Sequence, residues 1–125
     1  MIRPDVVTVR ATEEDVVRWY GPIYFGGKWT ARVMKKGSLV VGFGGFIELE
    51  PGTWFAFFEV PSRYRKPLVL RHIRDAMDEA IDMGAEVIKA YCDTSIPRAE
   101  ALMHHLGFVE TDELLDDKVI WKWGS

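Results

Sequence analysis

Between Val60 and Arg74 the chain places five basic residues, Arg63, Arg65, Lys66, Arg71 and Arg74, and no acidic one. The acids come afterwards, at Asp75, Asp78, Glu79 and Asp82. The spacing of Val69, Ile73, Ala76, Met77 and Ala80 predicts one amphipathic helix over this region, with its basic end first. That order opposes the helix macrodipole, which favours anions at the N-terminus by about 0.3–1 kcal/mol per charge. An external anion on the free N–H groups of the first turn would offset the cost, so the stretch is a candidate phosphate site. The competing reading is a solvated basic patch.

Other residues of suitable chemistry flank this stretch. Glu59 interrupts the apolar run Trp54–Val60 and is the first candidate for a general base; alternatively it is an exposed carboxylate paired with a nearby arginine. His104 and His105 fall outside the apolar stripe Ala99, Leu102, Met103 and Leu106, which favours a surface position for both. Tyr91 and Cys92 close a short strand and are further proton donors, with simple packing the ordinary role of such a cysteine. The glycines between Gly42 and Gly45 lack a strand-turn-helix context, so close sheet packing is favoured over a phosphate loop.

Composition narrows the function classes. A chain of 125 residues, 48% hydrophobic and 13% aromatic, fits one packed domain over 1–125. A net charge of -3 argues against a general nucleic-acid binder. The acids beside Arg63–Arg74 and the lack of interleaved aromatics make nucleic acid the least supported partner. No apolar run reaches the 18 residues of a membrane span, and no signal-peptide core precedes the first strand. Cys92 is the only cysteine, which fits a reducing cytoplasm, and the three histidines show no metal-ligand spacing.

The elements that must position these residues follow from periodicity and turn chemistry. Val6–Arg10 alternates as a strand, and Thr12 to Asp15 forms a variant capping box opening a helix that ends at Tyr20. Strands are predicted at about Trp29–Met34, Leu39–Leu49 and Trp54–Val60, joined by Lys36-Gly37 and Pro51-Gly52 as an antiparallel meander. The long helix stops at Gly84, and Glu86–Tyr91 is a short strand. Ser95 and Pro97 start a second helix stopped by Gly107. Two strands turning at Asp116-Asp117 close the chain. The order is β-α-β-β-β-α-β-α-β-β, an α/β fold of mixed, mostly antiparallel sheet with helices on both faces.

This order, with two segments, resembles the Gcn5-related N-acetyltransferase superfamily. Ile96-Pro-Arg-Ala-Glu-Ala-Leu-Met-His-His-Leu-Gly-Phe108 is similar to the family's Asn-x-x-Ala-x-x-Leu-Tyr helix leading into Leu-Gly-Phe, matching at Ala99, Leu102, Leu106, Gly107 and Phe108. Val60-Pro-Ser-Arg-Tyr-Arg65 before an amphipathic helix resembles the approach to the acyl-CoA pyrophosphate loop. The resemblance spans nearly the whole chain, with the second early helix reduced to the Gly21–Gly27 loop. The family loop Arg/Gln-x-x-Gly-x-Gly/Ala falls on Arg65 to Leu70, with Leu68 and Leu70 in the glycine positions. The family asparagine falls on Ile96, and its acid tyrosine on Met103.

The resemblance implies acetyl-CoA as acyl donor and an amine, small-molecule or protein, as acceptor. It implies that the strand carrying Phe58, Glu59 and Val60 contacts the thioester and pantetheine arm. Arg65, Lys66 and the N–H groups of Leu68, Val69 and Leu70 would face the pyrophosphate, and Arg63 and Arg71 the outer phosphates. Met103 stands in the acid position, with His104 beside it as substitute. A second function class keeps the fold without the catalysis. The loop leucines also resemble compact acetyltransferase-like proteins of tailed phages and prophages, which would act through self-association or a virion protein partner. An acidic acceptor groove from Glu48, Glu50 and Glu59 is a further expectation.

Overall fold

In the computed structural model the described residues are 6–21, 27–60, 67–92 and 98–124, and the side chains of Tyr20, Pro67 and Leu68 fall outside them. The elements are β1 (Val6–Arg10), α1 (Glu13–Tyr20), β2 (Trp29–Lys36), β3 (Leu39–Glu50), β4 (Thr53–Glu59), α2 (Pro67–Asp82), β5 (Val87–Tyr91), α3 (Ala99–His105), β6 (Val109–Leu115) and β7 (Lys118–Gly124). They form one seven-stranded sheet in the order β1-β2-β3-β4-β5-β7-β6. Every neighbouring pair is antiparallel except β4 and β5, which the α2 crossover makes parallel. The element order matches the sequence expectation.

Strand alternation assigns the faces. Val33, Phe43 and Ala31 point to one side and form a core with Val16 of α1, bordered by Trp19 and Phe57. Phe46, Trp54, Ala56, Ile88, Ala90 and Trp121 point to the other, where they meet Ala76, Met77 and Ala80 of α2 and Met103 and Leu106 of α3. The indole N–H of Trp54, on a fully buried side chain, has no hydrogen-bond partner among the described residues. The strand glycines are packing positions, as expected. A Cβ on Gly45 would lie 2.7 Å from the Ala31 Cβ and 2.8 Å from the Thr30 carbonyl oxygen.

Capping fixes the helix ends. Thr12 and Asp15 exchange hydrogen bonds as a capping box at α1, and the buried Asp15 carboxylate takes Lys35 of β2 at 2.9 Å. Gly84 and Gly107 sit at positive φ, and the N–H groups of Ala85 and Phe108 close back on the carbonyls of Ala80 and Met103. Both are Schellman stops. The start of α3 differs from expectation. Its first residue is Ala99, preceded by Arg98 in the left-handed region at φ 67 with no side-chain cap. Ser95 and Pro97 lie outside the described residues.

Candidate functional site

The parallel pair β4 and β5 holds together for only three residues. Thr53, Trp54 and Phe55 pair with Val87, Ile88 and Lys89. Beyond Phe55, β4 continues to Glu59 paired with β3, and β5 continues to Tyr91 paired with β7. The two strands therefore part while each stays anchored to its outer neighbour. The wedge opens toward their C-terminal ends, where Glu59, Val60, Tyr91 and Cys92 lie.

The two faces of this wedge differ. On the α1 face stand Phe55, Phe57, Glu59 and Tyr91. Phe55 and Tyr91 lie 6.4 Å apart, ring to ring, across the narrow end. Phe57 stacks on Phe43 at 5.9 Å, and Phe43 on Trp19 at 6.5 Å, with interplanar angles of 16° and 13°. At the end of that stack the Trp19 indole N–H donates to Oε2 of Glu59 at 2.6 Å. Glu59 is exposed and makes no ion pair among the described residues. The Lys118 ammonium lies 4.4 Å above the Tyr91 ring.

On the opposite face the wedge is apolar. Ala56, Ala90, Cys92 and Met103 belong to one buried cluster, with Phe58 and Leu70 packed against it. Phe58, Val60 and Val69 line a narrow crevice of about 20 Å³ under α2, together with Arg32, Met34 and His72. Cys92 is buried and forms no disulfide.

The sequence-selected residues are partly brought together. Phe58, Glu59 and Val60 edge the wedge, and Val69, Leu70 and Arg71 lie on α2 behind it. Arg63, Arg65 and Lys66 lie outside the described residues, as does the Leu68 side chain. Arg71 is exposed and forms no ion pair among the described residues. Met103 is 4% exposed and belongs to the core. His104 is exposed on α3, with its ring edge-on to Trp121 at 5.0 Å. The acidic acceptor groove does not form. Glu48 and Glu50 lie by the β3–β4 turn, and Glu59 ends β4 roughly 20 Å away at about 3.3 Å per strand residue. Glu48 also pairs with Trp54 and so points to the other face.

Electrostatics explain part of the charge order of α2. Glu79 accepts Thr30 at 2.7 Å and Arg32 at 3.0 Å from β2, and Arg10 of β1 at 2.7 Å. Burial pushes the Glu79 carboxyl up, but the Thr30 hydroxyl and the Arg32 and Arg10 guanidiniums together hold it below its ordinary value. Arg74 donates to the His105 carbonyl at 2.9 Å, closing the end of α3. These two charges therefore serve the sheet and α3. The first turn of α2 still carries no acid, and its last turn no base.

Trp19 is not among the residues that the sequence singles out for the site. Its spacing of three from Val16 was the available signal, since it puts both on the sheet-facing side of α1. Among the described residues no group of three His, Cys, Asp or Glu is arranged to hold a metal. No described helix is long and apolar enough to cross a membrane.

Comparison with known proteins gives the fold its relatives. No protein-family model and no curated protein matches the sequence. Solved structures do match. A GNAT-family acetyltransferase from Staphylococcus aureus superposes with a TM-score of 0.71 at 11% identity, covering 95% of this chain and 98% of that one. A spermidine N-acetyltransferase from Vibrio cholerae gives 0.68 at 12% identity, over 94% and 92% of the two chains. An acetyltransferase from Bacillus subtilis in complex with CoA gives 0.63 at 13%, over 97% and 99%. Identities this low speak for shared architecture. The chain has the Gcn5-related N-acetyltransferase fold.

Proposed function

We propose that this chain is an acyl-CoA-dependent N-acetyltransferase that moves an acetyl group to a primary amine. The observation that carries the reading is the parting of β4 and β5 after Phe55 and Lys89, with a carboxylate at its mouth and an acid-free helix start behind it. Acetyl-CoA is the donor suggested by the neighbours, one of which is a GNAT-family acetyltransferase from Elizabethkingia anophelis with acetyl-CoA bound. The apolar wedge suits a pantetheine arm, with Phe58 and Val60 on its β4 side. Arg63, Arg65, Lys66 and Arg71 are the cations proposed for the phosphates, together with the N–H groups of Leu68, Val69 and Leu70.

The α1 face is then the acceptor side. Glu59 takes a proton from the acceptor ammonium, and the freed amine attacks the thioester carbonyl carbon. The C–S bond breaks, the acetyl group stays on nitrogen as an amide, and CoA leaves as thiolate. His104 and Tyr91 are the groups proposed to reprotonate that thiolate, since Met103 has no proton to give. Phe55, Phe57 and Tyr91 exclude water around the reacting carbon. A cytoplasmic setting, where acetyl-CoA is available, fits a chain with a single cysteine, Cys92.

A thermal-shift titration tests the reading. Acetyl-CoA at 100 times its dissociation constant stabilises a binder by about 2.7 kcal/mol, or about 10 °C for a chain of this size. Arg65→Ala with Lys66→Ala should abolish the shift. No shift in the parent chain overturns the proposal.

A second reading, a non-catalytic relative of the same fold, draws on one structural observation and on the motif resemblance. Met103, in the acid position of the resembling motif, is core-buried, and leucines replace the loop glycines. Under it, the exposed Tyr91, Val109, Leu114 and Leu115 would contact a second copy or a virion protein, as in a phage-encoded component. A chain that binds no acetyl-CoA yet sediments as a dimer favours it.

A further inference from the structure

Glu59 stands on an exposed strand end, yet its side chain is held. Phe43 is its direct cross-strand partner on β3, and the ring stacked on Phe43 is that of Trp19. The indole therefore lies where its N–H reaches Glu59 across 40 residues of sequence, at 2.6 Å. A bond this short from N–H to a carboxylate is charge-assisted, the strong class of hydrogen bond. The ring itself cannot swing away freely. It is clamped by stacking on Phe43, by the docking of Val16 in the same cluster, and by the capping box and Lys35–Asp15 pair that fix α1 to β2.

We infer that Trp19 is a positioning residue, whose indole N–H occupies Oε2 of Glu59 and leaves Oε1 as the oxygen that takes the acceptor's proton. Among the described residues Oε1 accepts no hydrogen bond. A glutamate free at this strand end would sample several rotamers, and only some of them aim a lone pair into the wedge. One fixed oxygen removes that search. The base is thereby delivered by the α1–β3–β4 aromatic stack, outside the donor-binding elements. The role rests on the acyltransferase reading.

The test separates the two. Thiol release from acetyl-CoA is followed with spermidine, tyramine and tryptamine as acceptors, for the parent chain, W19F, E59Q and the double variant. Phe keeps the stack and deletes only the donor. The expected result is a kcat about 10- to 100-fold lower for W19F with the KM for acetyl-CoA unchanged, the range in which a misplaced catalytic group costs rate. The double variant should be no slower than E59Q, because both changes disable one unit. Wild-type kcat in W19F, or strictly additive losses, overturns the inference and leaves the acyltransferase reading intact. A parent chain that neither binds acetyl-CoA nor releases thiol with any of the amines overturns that reading, and the role of Trp19 with it. A proton–nitrogen spectrum adds an arm independent of turnover. The Trp19 indole resonance, identified by its loss in W19F, should move upfield and exchange faster in E59A. An unmoved resonance overturns the pairing.

Discussion

The carboxylate of Glu79 on α2 meets the Arg32 guanidinium of β2 at 3.0 Å, and Arg32 is only 16% exposed. Glu79→Gln would leave that guanidinium shielded and uncompensated. The expected loss is about 1–3 kcal/mol in urea unfolding, within the range for breaking a hydrogen bond to a charged, partly buried group. Arg10, with a 70% exposed side chain on the same carboxylate, should cost under about 1 kcal/mol when replaced by Ala.

Stability should fall in acid for a stated reason. Burial pushes the Asp15 carboxyl up, but the Thr12 backbone and the Lys35 ammonium bring it below its ordinary value, and Glu79 is lowered by its own partners. Both groups bind protons less readily folded than unfolded. Their contribution is complete above the ordinary carboxylate range, about pH 4–4.5, and is lost as pH falls through the lower folded values. Unfolding free energy measured from pH 7 to pH 2 should drop below about pH 4.5. Asp15→Asn combined with Glu79→Gln should flatten that drop while lowering the neutral plateau.

Gly45→Ala should destabilise by about 1–3 kcal/mol, the usual effect of overpacking. The new methyl would meet the Ala31 Cβ and the Thr30 carbonyl, neither of which is a flexible side-chain end. Thermal unfolding of the variant against Gly37→Ala separates the causes, since Gly37 has open space around it and only its φ of 63° to lose.

The β6–β7 turn offers a gain. Asp116 and Asp117 both hold positive φ, 50° and 64°, in a two-residue hairpin turn that favours glycine. Asp117→Gly should raise stability by about 0.5–1 kcal/mol, read as a higher urea midpoint at unchanged slope.

The sequence carried the elements because their signals are local. Thr12 with Asp15, Gly84, Gly107 and Asp116-Asp117 all lie where their side chains or backbone freedom predict. It also carried the charge order of α2, although Glu79 and Arg74 have partners that only the fold brings near. The acidic groove failed on strand geometry. Glu48, Glu50 and Glu59 are close in sequence, but the hairpin places the first two at the opposite end from Glu59, with Glu48 also on the other face. The Trp19–Glu59 contact was illegible because it depends on α1 docking over Phe43, a tertiary event. The late start of α3 reflects Arg98, whose left-handed backbone no residue-type preference announces.

Three residue pairs join two rafts of strand, β1 through β4 on one side and β5, β7 and β6 on the other. Each raft is built from antiparallel neighbours, and the first contains the β2–β3–β4 meander, whose contacts close short loops. The seam needs the whole α2 crossover before its first pair can form, so it carries the highest loop-closure cost in the sheet. The molecule should therefore assemble its first raft early and zip the seam late. Ile88→Val at the seam should chiefly speed unfolding, whereas Val33→Ala in the meander should slow refolding, and a chevron of each separates the two. The narrow join that opens a wedge for chemistry also makes it the last part of the sheet to close.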